Sequence, residues 1–341
     1  MTFAVGYQQN DDAQESFPDL VRDHFDCVSE VYFPWADMPS GRAALTSRRG
    51  YVDWSGQARL EDELAELRQM GVKLDLLFNA NCYGGRAVSQ HLQNRVISVV
   101  EHILDTLGGL EAVTTTSPTV AHVMKKSFPE IEVRASVNMR IGTVQGMSYV
   151  ADLFDGYYVQ RDYNRDLSHI AELKEWADEN GKRLYMLANS GCLRFCSGQT
   201  FHDNLVAHED EVDETVNIPG WTPHVCWAYL REPDNWPVIL QSTWIRPEDL
   251  HHYDGLFDTV KLATRMSSRP RLIIQSYANR RFRGNLLDLF EPGFSPALAP
   301  SLIDNDKFPL DWFGRTSTCD RKCHRCTYCR DVLEQVITRI D

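Results

Sequence analysis

Short apolar runs recur along the chain and alternate with segments of helical periodicity. Runs of about four to eight apolar residues, bounded by polar or turn-forming residues, are typical of strands buried in a parallel sheet. We predict nine such strands, which are residues 3–7, residues 30–33 and the runs that begin at Lys73, Leu110, Val133, Gly156, Arg183, Val238 and Val260.

Between these runs, apolar residues three or four positions apart predict amphipathic helices. One apolar stripe is closed by Gly108 and another by Asn180-Gly181, which are residues that commonly end helices. Regular alternation of strand and helix, with no Gly-x-Gly-x-x-Gly after any strand, favours a closed barrel over a doubly wound sheet. The sequence therefore predicts an α/β fold, a TIM-like (β/α) barrel. The stripes are Leu60, Leu64, Leu67 and Met70; Leu92, Val96, Val99, Val100, Ile103 and Leu107; and Ile170, Leu173 and Ala177.

Two segments interrupt this rhythm and define the expected domain organisation. We assign the barrel to residues 1–290, with an insertion at about 191–237 that covers the barrel mouth and contains an acidic patch at 208–214. Residues 291–341 form a C-terminal extension that carries four clustered cysteines and a short helix at 330–340.

Polar side chains follow the predicted strands, where a (β/α) barrel places its active face. Arg140, Arg161 and Arg265 occupy such loops, and an arginine there can clamp a carboxylate through two parallel hydrogen bonds. The alternative is that each forms a structural salt bridge with a nearby aspartate. Asn189 can orient a substrate or cap loop backbone. These four residues are the candidate catalytic residues.

Charge and cysteine content restrict the classes of partner and compartment. The net charge of −13 disfavours binding to duplex nucleic acid, although an arginine-rich stretch at 269–283 leaves RNA open. No run is long enough to span a bilayer, and the N-terminus lacks the pattern of a secretion signal. We therefore expect a cytoplasmic protein, whose nine cysteines are not a disulfide framework.

Four cysteines are concentrated near the C-terminus, at Cys319, Cys323, Cys326 and Cys329. Four thiolates this close favour a soft metal centre, either zinc or an iron–sulfur cluster. Structural zinc sites usually divide their ligands into two distant pairs, whereas this spacing is closer to ferredoxin-like runs. An iron–sulfur cluster is therefore favoured, with zinc or free thiols as the alternatives.

A second set of cysteines lies within the predicted barrel. Cys192 and Cys196 are four positions apart, Cys226 follows thirty residues later, and Cys82 ends another strand on the same predicted face. Together they supply the four thiolates of one 4Fe–4S cluster. Alternatively, Cys82 and Cys226 are small buried apolar residues. Cys27 is placed in the first helix and in the core.

Several stretches resemble a known family. They are residues 133–138 with 154–167, the loop 187–198 (LANSGCLRFCSG), and residues 245–250 with 257–266 (FDTVKLATRM). Over roughly residues 70–285 the chain resembles the collagenase-like U32 peptidases, although Thr264 stands where that family usually has glycine. The resemblance implies a barrel with a 4Fe–4S cluster held by four cysteines. Relatives include accessory proteins of oxygen-independent ubiquinone hydroxylation and prephenate-dependent RNA hydroxylation proteins.

These observations predict an iron–sulfur enzyme that performs oxygen-independent hydroxylation or a related redox modification of a small molecule. The expected cofactor is one or two 4Fe–4S clusters, with zinc at the C-terminal motif as the alternative. The expected partners are a small anionic substrate and a protein partner or electron donor.

Two other classes of function remain open. A peptidase or other hydrolase would need a hydrolytic metal or a nucleophile–base pair. The chain contains no His-Glu-x-x-His and no Gly-x-Ser-x-Gly, and the adjacent His251 and His252 do not share a helix face. The other class is a non-catalytic iron–sulfur electron-transfer or scaffold partner in a heteromeric complex.

Overall fold

Eight parallel strands close into a barrel in the computed structural model, which describes residues 1–9, 15–36, 38–41 and 53–340. Each strand pairs with the next along the chain, and β1 pairs with β8 to close the barrel. The predicted TIM-like barrel is therefore confirmed. The strands are β1 Thr2–Gly6, β2 Val28–Pro34, β3 Lys73–Phe78, β4 Ala112–Thr115, β5 Glu132–Ala135, β6 Gly156–Tyr158, β7 Arg183–Leu187 and β8 Thr259–Leu262.

Helices follow the barrel strands and cover their outer face. Within the described residues, no helix is both long enough and apolar enough to span a membrane. The helices are α1 Phe17–Arg22, α2 Trp54–Gln69, α3 Gln90–Leu107, α4 Pro118–Ser127, α5 Val144–Ser148, α6 Leu167–Glu179, α7 Gln199–Ala207, α8 Glu209–Asp213, α9 Val225–Tyr229, α10 Pro237–Leu240, α11 Pro270–Ala278, α12 Ser295–Leu298, α13 Trp312–Ser317 and α14 Tyr328–Val336.

Helix α3 illustrates how local sequence fixes these elements. Its apolar stripe is buried against the barrel, and each fully buried side chain of this kind contributes about 1.5–3 kcal/mol. The Ser89 hydroxyl caps the N-terminus by accepting a hydrogen bond from the Leu92 amide at 3.1 Å. At the other end Gly108 adopts a φ of 73°, a left-handed conformation that glycine takes without strain.

Thr264 completes the barrel closure just beyond β8. Its hydroxyl accepts a hydrogen bond from the Gly6 amide at 2.8 Å and so links the ends of β8 and β1. The threonine thus supplies a hydrogen bond between the ends of β1 and β8 that a glycine, the usual residue at this position in the U32 family, could not form.

Three local predictions were wrong. The run at Val238 is helix α10 rather than a strand, because Pro237 lacks an amide hydrogen but fits the first turn of a helix. The terminal helix ends at Val336, and Ile337–Arg339 forms a strand, β10, that pairs with β9, Ser301–Ile303. Cys27 lies in the turn after α1, half-buried against the core rather than within the helix.

The C-terminal extension packs closely on the chain beyond β7. The Gly191 amide donates to the Glu291 carbonyl at 2.8 Å, and a Cβ on Gly191 would lie only 2.1 Å from the Pro292 carbonyl oxygen. Trp244 stacks on Trp312 of α13 with ring centroids 5.8 Å apart. Glycine and large aromatic side chains therefore bring the cysteine-rich tail against the barrel.

Candidate functional site

Arg161 occupies the barrel mouth, in the loop after β6. One guanidinium nitrogen, Nη1, donates to the Cys192 Sγ at 3.2 Å, and Nη2 donates to the Asn138 Oδ1 at 2.6 Å. The side chain is 4% exposed. Asp162 instead accepts from the Gln160 side chain, at 2.7 Å, and from a backbone amide. Arg161 therefore positions a thiol, rather than forming a salt bridge with the aspartate next to it.

The other two predicted arginines lie in different surroundings. Arg140 has a positive φ of 56°, and its Nε is buried without a hydrogen-bond partner among the described residues. Its charge lies within electrostatic reach of Cys196. Arg265 instead donates to the Ser40 hydroxyl at 3.1 Å. The structure thus brings Arg140 and Arg161 to the internal thiols, while Arg265 contacts the loop after β2.

The Asn189 side chain forms hydrogen bonds with backbone groups. Its Nδ2 donates to the carbonyls of Ala263 and Leu289, both at 2.9 Å, and its Oδ1 accepts from the Ala263 amide at 2.6 Å. The side chain is completely buried. These contacts join the ends of β7 and β8 to the C-terminal segment, so the amide caps backbone groups rather than facing a substrate.

We expect Asn189→Ala to lower the free energy of unfolding by about 2–4 kcal/mol, because buried backbone groups would lose their partners. Chemical denaturation provides the measurement. Asn217→Ala is the matched control, since Asn217 is exposed and donates to one carbonyl, and it should change stability by about 0.5 kcal/mol or less. Equal effects in the two variants would contradict the structural role.

Three internal thiols, those of Cys192, Cys196 and Cys226, lie within electrostatic reach of one another. Burial raises the pKa of Cys226 to about 11, and the Cys192 and Cys196 thiols raise it as well. Gly198 permits this approach, because a Cβ there would lie 2.7 Å from the Val225 Cγ2 at the start of α9. The structure therefore assembles three of the four predicted internal ligands.

Cys82 has a different set of partners. Its Sγ accepts a hydrogen bond from the Gly84 amide at 3.3 Å, and the His208 side chain lowers the pKa of the thiol. The ligand role predicted for Cys82 stays a prediction.

The four C-terminal thiols form a second group. Burial raises the pKa of Cys329 to about 11, and the nearby thiols of Cys323, Cys319 and Cys326 raise it further. Cys329 is half-buried at the start of α14, whereas the other three are exposed. The tail therefore presents four neighbouring sulfur donors at the surface.

Two arginines face this C-terminal thiol group from the barrel side. Arg165 lies within electrostatic reach of Cys319 and Cys329, and Arg194 within reach of Cys319 and Cys323. Burial lowers the pKa of Arg165 to about 9, which leaves the side chain charged at neutral pH. Arg194 belongs to the loop between Cys192 and Cys196, so this loop touches both thiol groups.

Arg165 is 3% exposed, and no carboxylate among the described residues forms a salt bridge with it. One Nη2 hydrogen bond goes to the Leu240 carbonyl at 3.0 Å and another to the Ser242 carbonyl. The guanidinium lies over the rings of Trp244 and Trp312, at 5.1 and 5.4 Å from their centroids. Its Nε and Nη1 are buried without hydrogen-bond partners in the described part of the chain. Arg165 is therefore a buried positive charge that faces the C-terminal thiol group.

A layer of charged side chains fills the barrel interior beneath the mouth. Arg134 donates to Glu30 at 2.6 Å and lies 3.9 Å from Asp75, while Lys261 lies 4.0 Å from Asp75. Burial raises the pKa of Asp75 to about 6 and lowers that of Lys261 to about 8. Two buried cations therefore balance two buried carboxylates.

The two groups of cysteine thiols are the kind of ligand that binds an iron–sulfur cluster. Among the described residues, no three His, Cys, Asp or Glu side chains converge closely enough to bind a single metal ion. A 4Fe–4S cube needs a wider arrangement, because each thiolate binds a different iron. Four clustered thiols beside buried cations provide both the ligand type and the compensating charge that such a cluster requires.

Sequence patterns did not identify Arg165, Arg194 or His208 as functional. Arg194 has a local signal, since it lies between two cysteines four positions apart. His208 belongs to an acidic patch that is typical of a solvated face, and Arg165 precedes an ordinary helix N-terminus. Their significance arises from tertiary contacts alone.

Comparisons with known proteins show what this chain resembles in sequence and in fold. No family model matches the chain. The uncharacterized protease MJ1657 of Methanocaldococcus jannaschii is 26% identical over 325 residues, covering 90% of this chain and 88% of that protein. The solved U32 peptidase Mk0906 has a TM-score of 0.52 at 16% identity, covering 76% of this chain and 92% of that one, and shares its fold. The chain is thus similar in sequence to the protease MJ1657 and in fold to a U32 peptidase, which supports the predicted relationship to that family.

Proposed function

We propose that the chain is an iron–sulfur redox protein whose C-terminal cysteines, Cys319, Cys323, Cys326 and Cys329, hold a 4Fe–4S cluster. The observation that carries this proposal is Arg165, a buried cation with no carboxylate partner among the described residues. A buried charge is costly unless it is compensated. A cluster with four thiolate ligands has a net negative charge and would compensate Arg165 and Arg194, whereas four neutral thiols would not.

The internal thiols support a second cluster at the barrel mouth. Cys192, Cys196 and Cys226 would supply three thiolates, leaving one position for another ligand or for substrate. A bound cluster supplies electrons at such a site. The hydrogen bond from Arg161 to the Cys192 Sγ is of the kind that tunes cluster reduction potentials.

Arg140 gives the same mouth an anion-binding group. Its Nε has no hydrogen-bond partner among the described residues, and a carboxylate can accept from arginine along two parallel hydrogen bonds. We propose that Arg140 binds a small anionic substrate beside the internal thiols, while Arg161 holds Cys192 and Asn138 in place. The reaction would be an oxygen-independent hydroxylation or a related redox modification.

Iron and sulfide counting on anaerobically purified full-length protein tests this proposal. We expect about eight irons and a similar amount of acid-labile sulfide per chain. Cys323→Ser and Cys192→Ser should each remove about four irons, from different clusters. Cys27→Ser is the matched control, because Cys27 directly precedes β2, at the end of the barrel opposite the loops that follow the strands, and it should retain all the iron. Zinc without sulfide, or complete iron loss in both variants, would contradict the two-cluster assignment.

The names of the relatives favour a hydrolase as the second candidate, since one is called a protease and the other a peptidase. Hydrolysis of gelatin that persists after removal of iron would support it. Hydrolysis that disappears with the iron would favour a metal-dependent reaction instead.

A further inference from the structure

Trp312, on α13, carries a hydrogen-bond donor for which the chain supplies no acceptor. Its side chain is completely buried, and its indole Nε1 has no hydrogen-bond partner among the described residues. An unpaired buried donor is costly, so most buried polar groups in folded proteins are paired with protein, water or a bound group. The indole N–H thus indicates an acceptor that the protein binds at this place.

The indole lies between Arg165 and the start of α14. The Trp312 ring stacks on Tyr328, with centroids 6.2 Å apart and an interplanar angle of 18°, and Tyr328 directly precedes Cys329. From the barrel side, the Arg165 guanidinium lies 5.4 Å from the centroid of the Trp312 ring, and its Nε and Nη1 are likewise buried and unpaired. Two neighbouring side chains therefore bring three unpaired N–H donors to the part of the tail that carries Cys329.

The other buried, unpaired side-chain nitrogen atoms of the described chain follow the same pattern. All but one belong to residues near the internal or the C-terminal thiols, and the exception is the Arg134 Nε within the barrel. Cluster sulfides and thiolates would accept hydrogen bonds from N–H groups at both places, whereas a neutral thiol is a weak acceptor. The nitrogen atoms near the thiols are those of Arg140, Arg161, Arg165, Arg194, Gln199 and Trp312.

We propose that Trp312 and Arg165 donate these N–H groups to sulfur atoms of the C-terminal cluster and thereby raise its reduction potential. This inference rests on the proposed function and concerns the cluster at Cys319–Cys329 alone. When a one-electron donor reduces the cluster, its negative charge increases, so N–H donors stabilise the reduced form more than the oxidised form. Trp312 is a positioning residue in this scheme, since it acts through a hydrogen bond and is not a ligand.

Trp244 supplies a matched control for the indole N–H. It stacks on Trp312 with centroids 5.8 Å apart and is also buried, but its Nε1 donates to the Ile239 carbonyl at 2.9 Å. Phenylalanine at either position keeps an aromatic ring and removes the N–H. Only Trp312→Phe, however, removes a donor that has no acceptor within the described chain.

The test is a redox titration of iron-loaded, full-length protein, followed by visible absorbance and by electron paramagnetic resonance. Cys323→Ser identifies the signal of the C-terminal cluster as the one that it removes. We expect Trp312→Phe to lower the potential of this cluster by about 59 mV, a tenfold change in the equilibrium for one electron. The internal cluster and the iron content should not change, and Trp244→Phe should leave both potentials unchanged.

A measurement on the native sequence needs no tryptophan variant. Ultraviolet resonance Raman spectra report whether indole N–H groups are hydrogen-bonded. The difference between iron-loaded and iron-free protein should show one indole that gains a hydrogen bond. Iron-loaded Cys323→Ser, which lacks the C-terminal cluster, should not show this gain.

An unchanged potential in Trp312→Phe, at full iron content, would overturn the inference. The indole N–H would then face another group, such as the Phe308 ring, whose centroid lies 5.0 Å from that of Trp312. Equal shifts in Trp312→Phe and Trp244→Phe would also overturn it, because ring stacking rather than the N–H would then set the potential. Wild-type protein without iron and sulfide would overturn the proposed function itself, and this inference with it.

Discussion

Replacing Arg165 with methionine is expected to lower the free energy of unfolding of the iron-loaded protein by about 3–5 kcal/mol, since removing one partner of a buried charge pair leaves the other uncompensated. The remaining partner would be the anionic cluster at Cys319–Cys329. We also expect loss of about half of the bound iron, because four of about eight irons would be held less tightly. Denaturant unfolding under anaerobic conditions, with iron analysis of the folded fraction, measures both effects.

The iron-free protein supplies the internal comparison for this prediction. Without a cluster, Arg165 faces thiols that burial holds in the neutral form, so the methionine variant removes an uncompensated charge. The hydrogen bonds to the Leu240 and Ser242 carbonyls and the contacts with the Trp244 and Trp312 rings would then be lost, but no charge compensation, so the destabilisation should be smaller. Equal destabilisation with and without iron would show that Arg165 does not compensate a cluster.

Arg315→Met is the matched control on the same extension. Arg315 also lies over an aromatic ring of the extension, that of Tyr328, 4.7 Å from its centroid. Unlike Arg165, however, its side chain is exposed to solvent. Its replacement should cost about 1 kcal/mol or less and leave the iron content unchanged.

The barrel could be predicted because its determinants are local. Helix α3 has a complete apolar stripe, a serine cap and a glycine stop, all within twenty residues of chain. Predictions failed where one element depends on a distant partner or on a single proline. The run at Val238 has strand composition, but Pro237 and the surrounding insertion make it helical, and β10 forms only because β9 is present to pair with it.

The candidate site was only partly predictable for a related reason. Spacing alone is enough to group Cys319, Cys323, Cys326 and Cys329, since residues within so short a segment of chain cannot lie far apart. The side chain that lowers the pKa of Cys82 could not be found in this way, because His208 lies in an insertion 126 positions later. Asn189 shows the same limit, since only tertiary contacts distinguish an amide that caps backbone from one that faces substrate.

The charged layer within the barrel has no signature in the sequence pattern. Glu30, Asp75, Arg134 and Lys261 come from four strands, and each strand is otherwise mainly apolar. In a closed barrel alternate residues point inward, so isolated charges on separate strands become neighbours. These four side chains can be buried because their opposite charges compensate one another. Removal of any one of them would leave a buried charge uncompensated.

Replacing Arg134 with methionine is therefore expected to lower the free energy of unfolding by about 3–5 kcal/mol at neutral pH. Arg134 donates to Glu30 at 2.6 Å and to Glu132 at 3.0 Å, and its charge lowers the pKa of Asp75 against the effect of burial. Denaturant unfolding at pH values from about 4 to 8 measures the effect. The glutamates would lose hydrogen bonds, and the buried Asp75 would lose one of its two compensating cations.

The pH dependence distinguishes this charge effect from a simple loss of packing. The folded-state pKa of Asp75, about 6, is already above its unfolded value, so stability falls as pH rises between them. Without Arg134 that pKa rises further, and the fall continues to higher pH, so the variant should lose most stability above about pH 6. Arg183→Met is the control, because Arg183 is exposed and bonds the same Glu132 at 2.9 Å, and it should cost about 1 kcal/mol or less. A loss that is independent of pH in Arg134→Met would mean that packing of the guanidinium against Tyr185, rather than charge compensation, holds this layer together.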